Sequence, residues 1–102
     1  MKVSIEYFRE KILPKIENNY VITFSNFSEK EIIGFGDLER VEIEGSNLLG
    51  GVEFWSLGWM SIHLVNMEND EEILNILISA DDDNRKIEEL YKLEEILIKF
   101  LK

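Results

Sequence analysis

The chain has 102 residues, a formal net charge of −10, 45% hydrophobic and 31% charged side chains, and no cysteine. This composition predicts one soluble globular domain with a single core, and it excludes disulfides, thiolate metal ligands and a cysteine nucleophile. No apolar run is long enough to span a bilayer, and the charged start MKVSIEYFREK lacks the apolar segment of an export signal, so a cytoplasmic location is expected.

The charge is unevenly distributed. Residues 1–35 carry five basic and five acidic side chains, and residues 85–102 carry five and four. Residues 36–84 hold Arg40 alone against twelve acids, a net of −11. Nucleic acid is repelled by such a segment, because phosphate binding needs Lys and Arg. Basic proteins and cations are attracted to it.

Along the chain, Ser4 is placed to cap a first helix with Ile5, Phe8, Ile12 and Ile16 on one stripe. Pro14 interrupts that stripe and should kink or end the helix near Leu13, since proline lacks the N–H and clashes with the preceding turn. Residues 20–24, YVITF, read as a short strand. Residues 28–31, SEKE, have the spacing of a capping box and predict one helical turn before GFG at 34–36 breaks it.

A period of two follows. Val41 and Ile43 alternate with Arg40, Glu42 and Glu44, which predicts a half-buried strand with an acidic outer face. GSNLLGG at 45–51 reads as turn chemistry, and VEFWS, WMSIHLV and EILNILIS read as three further strands. The last segment, DNRKIEELYKLEEILIKFLK, is a helix whose apolar residues from Ile87 to Leu101 cover an arc of roughly 220°. That exceeds one stripe, so the surplus must meet the first helix or another subunit. The expected fold is α+β: an antiparallel sheet of about five strands with N-terminal and C-terminal helices packed against it.

The two tryptophans fix a register. A three-residue loop, Ser56-Leu57-Gly58, with glycine in the left-handed conformation, pairs Trp55 with Trp59. Val52, Phe54, Met60, Ile62 and Leu64 then share one face, joined by Leu74, Ile76 and Ile78. Glu53, Trp55, Trp59, Ser61 and His63 share the other, with Ile73, Asn75 and Leu77. The tryptophans are therefore off the main core. They form a cross-strand aromatic pair, lie under the first helix, or await a partner as binding anchors.

No catalytic set stands out. His63 is the lone histidine, which excludes His-based metal sets and His-plus-Cys catalysis, and a lone strand histidine is usually structural. DDDN at 81–84 lacks the spaced ligands, glycine and terminal glutamate of a calcium loop and reads as a turn with a helix N-cap. GFG has no following helix and is no phosphate loop. Neither a metal nor another cofactor is expected. The remaining signal is an acidic face carrying aromatics, the combination that speeds association with a basic partner and slows its release. The candidate partner-binding residues are Glu42, Glu44, Glu53, Trp55, Trp59 and His63, with Asp70 and Glu71 from the same acidic segment.

GGVEFWSLGWMSIHLV followed by EEILNILIS and a terminal helix, over roughly residues 50–80, resembles small bacterial immunity proteins of contact-dependent growth inhibition and related polymorphic toxin systems. The resemblance implies a non-enzymatic cytoplasmic antidote that binds one cognate toxin domain, often a nuclease, and blocks its active site. It supplies no contact residues, because such families diverge at the toxin surface. The alternative expectation is an adaptor or structural module that self-associates through its C-terminal helix.

Overall fold

The computed structural model describes residues 3–27 and 35–101. SEKE, with its expected helical turn, lies outside the described residues. Two short helices come first, α1 (Ile5–Lys11) and α2 (Leu13–Ile16). Ile12 separates them, so the break falls one residue before the expected position and Pro14 sits in the first turn of α2, where its missing N–H costs nothing. Ser4 occupies the N-cap position in extended conformation, and its carbonyl accepts from Tyr7 N–H at 3.0 Å. Its hydroxyl makes no capping bond, contrary to expectation. The stripe Ile5, Phe8, Ile12 and Ile16 is buried throughout.

Five strands follow: β1 (Val21–Phe27), β2 (Leu38–Gly45), β3 (Leu48–Trp55), β4 (Met60–Asn66) and β5 (Glu71–Ile78). They form one antiparallel sheet in the order β1-β2-β3-β4-β5, each strand pairing with its sequence neighbour. Among the described residues, helices cover one side of the sheet only. Val41, Ile43, Val52, Phe54, Met60, Ile62, Leu64, Leu74 and Ile78 are buried there, in one cluster with the stripe of α1 and α2. The long helix α3 (Asp83–Lys99) adds Leu90, Leu93 and Leu97 to the same cluster. The α+β class and the five-stranded antiparallel sheet with terminal helices are thus as expected.

Three local differences matter for the surface. First, GSNLLGG is not all turn. Gly45 pairs with Leu48, so the loop is the two residues Ser46 and Asn47, both at positive φ (50° and 62°) as a primed hairpin turn requires. Leu48 to Gly51 belong to β3, and the glycines are there because neighbouring backbone comes close. A Cβ on Gly50 would collide with the His63 carbonyl, and one on Gly51 with the Val41 carbonyl. Second, a bulge separates the pairs Leu64–Leu74 and Val65–Glu72. It turns Ile73 to the core, against the expected side, and gives Glu72 the place opposite Val65. Third, β1 runs three residues beyond the expected strand, to Phe27.

The surplus apolar arc of α3 meets the N-terminal segment. Tyr7 and Tyr91 hydroxyls lie 3.4 Å apart, the Lys15 ammonium reaches Glu94 at 3.3 Å, and the buried Tyr20 hydroxyl donates to the Leu97 carbonyl. Ile87 and Ile96 pack half-buried against the core, leaving Tyr91 and Ile98 exposed.

Candidate partner-binding face

The registers of the five strands arrange the helix-free side of the sheet in four rows. Phe27, Leu38, Trp55 and Trp59 form the row at the end that carries the β3–β4 turn. Ser25, Arg40, Glu53, Ser61 and Leu77 form the second, and Thr23, Glu42, Gly51, His63 and Asn75 the third. Val21, Glu44, Leu49, Val65 and Glu72 close the face. Six of the eight predicted residues, Glu42, Glu44, Glu53, Trp55, Trp59 and His63, therefore share one surface. Asp70 and Glu71 do not. They sit at the β4–β5 turn, at the opposite end of β4 from the tryptophans, with Asp70 at positive φ (59°).

The hairpin register is as read from sequence. Trp55 N–H donates to the Trp59 carbonyl at 2.9 Å, Gly58 N–H donates back to the Trp55 carbonyl at 2.9 Å, and Gly58 has a positive φ (106°). The cover over the tryptophans was not foreseen. Helix α1 lies on the other side of the sheet and cannot reach them. Phe35, from the segment between β1 and β2, stacks on Trp59 (centroids 4.7 Å, planes 15° apart) and meets Trp55 edge-on at 5.2 Å. Backbone bonds hold it there: Leu57 N–H donates to the Phe35 carbonyl at 3.1 Å and Ser56 N–H to the Asp37 carbonyl at 2.8 Å. Ser56 Oγ accepts from Asp37 N–H at 2.9 Å. Both tryptophans remain half-buried.

The second row is already neutralised. Arg40 donates to the Glu53 carboxylate through Nε (2.9 Å) and Nη2 (2.6 Å), and Ser61 Oγ donates to its other oxygen at 2.9 Å. Arg40 also lies 5.0 Å from the Phe27 ring centroid, which ties the aromatic row to the polar one. The third and fourth rows carry the open charge. Glu42 and Glu44 are exposed, and among the described residues neither makes an ion pair. Gly51 stands between Glu42 and His63 and leaves a gap where every neighbour has a side chain. His63 Nε2 lies 3.4 Å from Glu72, the carboxylate that the bulge delivered to this face.

Sequence reasoning missed Phe35, Phe27, Leu38 and Glu72 as members of this face. The strand continuation to Phe27 carried a period-two signal, but a loop residue's docking and a bulge leave none. Among the described residues no group of three His, Cys, Asp or Glu side chains could hold a metal ion. DDDN is the expected helix start: Asp82 accepts from Arg85 N–H at 3.3 Å, and Asp83 meets the buried Lys86 at 3.0 Å. No helix among the described residues is long and apolar enough to cross a membrane. Comparison with protein-family models, with curated proteins and with solved structures finds no match to this chain.

Proposed function

We propose that this chain is an immunity-type inhibitor that binds a cognate basic toxin domain, of nuclease type, through the helix-free side of its sheet. The observation that carries the reading is that the exposed Glu42 and Glu44, with no ion pair among the described residues, share one side of the sheet with the half-buried tryptophans. Glu42 and Glu44 supply steering charge that no cation among the described residues pairs with, and the aromatic row supplies contact area on the same face. A lysine or arginine of the partner fits the gap over Gly51, flanked by the Glu42 carboxylate. The Arg40–Glu53–Ser61 group orders the surface and is not the source of its charge. The resemblance of residues 50–80 to immunity proteins supports the same reading. A cytoplasmic location follows from it, since the toxin acts there. The surplus arc of α3 is largely taken up by the N-terminal helices, which leaves less surface for self-association through that helix.

The test is growth protection. The reading frames beside this gene are searched for a large secreted toxin with a variable C-terminal domain, that domain is co-expressed with the chain, and the two purified proteins are mixed for calorimetry. Wild type should restore growth and bind. Glu42→Lys/Glu44→Lys should lose both while keeping its melting temperature, because both side chains are exposed. A wild-type chain that neither protects nor binds overturns the reading.

A further inference from the structure

Strand β1 ends the sheet, and no strand among the described residues pairs with its outer edge. Its seven residues, VITFSNF, hold no charge and no proline, and its ladder to β2 is unbroken. Edge strands are ordinarily protected by charge, proline or a bulge, because their free N–H and C=O groups template further pairing. The opposite edge has such protection: β5 opens with Glu71 and Glu72 and carries the bulge at Ile73. β1 has none of these devices.

Its sequence also complements itself. In an antiparallel pair of two β1 strands centred on Phe24, Val21 stands opposite Phe27 of the second copy, and Thr23 opposite Ser25. Val21 and Phe27 are the two apolar side chains that β1 leaves open, 67% and 47% exposed, so each covers the other. Thr23 opposite Ser25 is a hydroxyl pair of the kind that stabilises neighbouring antiparallel strands. A shift of two residues either way leaves Val21 or Phe27 uncovered. Arg9 lies 4.0 Å over the Phe24 ring at the centre of this arrangement, and Glu6, 3.6 Å from it, balances its charge. In a chain of net charge −10, an uncharged strand is where two copies approach with least repulsion.

We propose that the protein forms a two-fold dimer through β1, joining two five-stranded sheets into one. The inference goes beyond the proposed function: it uses the outer edge of β1, whose Val21 and Phe27 also border the open face, and its readout is the mass of this chain alone with no partner present. Sedimentation velocity from micromolar to millimolar protein tests it. The mass should rise from 12.0 kDa toward twice that value. Val21→Lys/Phe27→Lys places lysine against lysine at both ends of the pair and should remain monomeric. Val21→Lys alone, which lies beside Glu44 and disturbs the monomer least, should weaken the dimer in a chain with unchanged circular dichroism. Mixing the double lysine variant with Val21→Glu/Phe27→Glu should restore a dimer, since every lysine then faces a glutamate. Glu42→Lys/Glu44→Lys should dimerise like wild type. A wild type that stays monomeric, a lysine variant that dimerises equally well, or a mixture that stays monomeric would each overturn the proposal.

Discussion

Phe35 contacts both tryptophans, which makes their environment a direct reporter of how this end of the open face is held. Phe35→Ala should cost about 1–2 kcal/mol, less than a core aromatic because the ring is half-buried. It should also shift tryptophan emission to longer wavelength, and the chain has no other Trp to obscure the signal. An unchanged emission maximum would show that the ring does not seat there in solution. The same contacts mean that truncating Trp55 or Trp59 damages the fold as well, so Glu42 and Glu44 are the cleaner probes of the proposed binding. At the β2–β3 turn, Asn47 holds a left-handed backbone that Asn and Gly accept and β-branched residues resist. Asn47→Val should destabilise by about 1–2 kcal/mol and Asn47→Gly by far less, measured by urea unfolding. The register around Trp55 was legible because glycine at 58 and two cleanly sorted faces agree on it. Phe35 was not, because its docking depends on loop backbone bonds to Ser56 and Leu57 that no local pattern announces.

Among the elements, α3 has the most telling beginning. Lys86 is wholly buried, and its ammonium is satisfied by the Ala80 carbonyl and the Asp83 carboxylate, both at 3.0 Å. The Lys86 hydrogen bond holds the Asp83 carboxyl below its ordinary value; burial opposes this, while the lysine charge and the Val3 N–H reinforce it. A carboxylate whose value is depressed on folding adds stability that is fully present above its unfolded value, near 3.8, and is lost as pH falls through the lower folded one. Chemical unfolding should therefore show a loss of stability below about pH 4 that Asp83→Asn reduces. A wild type and variant with parallel profiles in that window would remove the coupling. The helix itself was plain from its period, and so was the acidic turn before it. The β3 segment Leu48–Gly51 was obscured because paired glycines imitate a loop, when here they admit close backbone from both neighbouring strands. The bulge at Ile73 reversed one side chain for a related reason: a period of two carries no mark of where a residue is inserted.

For the molecule as a whole, the sheet has a helix-covered side and an open side, and Glu42, Glu44, Glu53 and Glu72 fall on the open side. If the chain binds the basic partner proposed above, added salt should slow association while dissociation changes little. Stopped-flow measurements across ionic strength separate the two, and a salt-independent association rate would count against electrostatic steering. Which side the first helix covers could have been read from sequence: its stripe and the apolar strand face each need burial, and each satisfies the other. The strand order has a consequence in time as well as in space. Every strand pairs with its sequence neighbour, whereas the helices close the ends of the chain across 77 residues at Tyr20–Leu97 and 79 at Lys15–Glu94. Loop entropy disfavours those closures until the hairpins exist, so the sheet forms early and the termini lock last. Asn47→Val should then mainly slow refolding, and Tyr20→Phe should mainly hasten unfolding, the two arms of one chevron reporting the two ends of the same assembly.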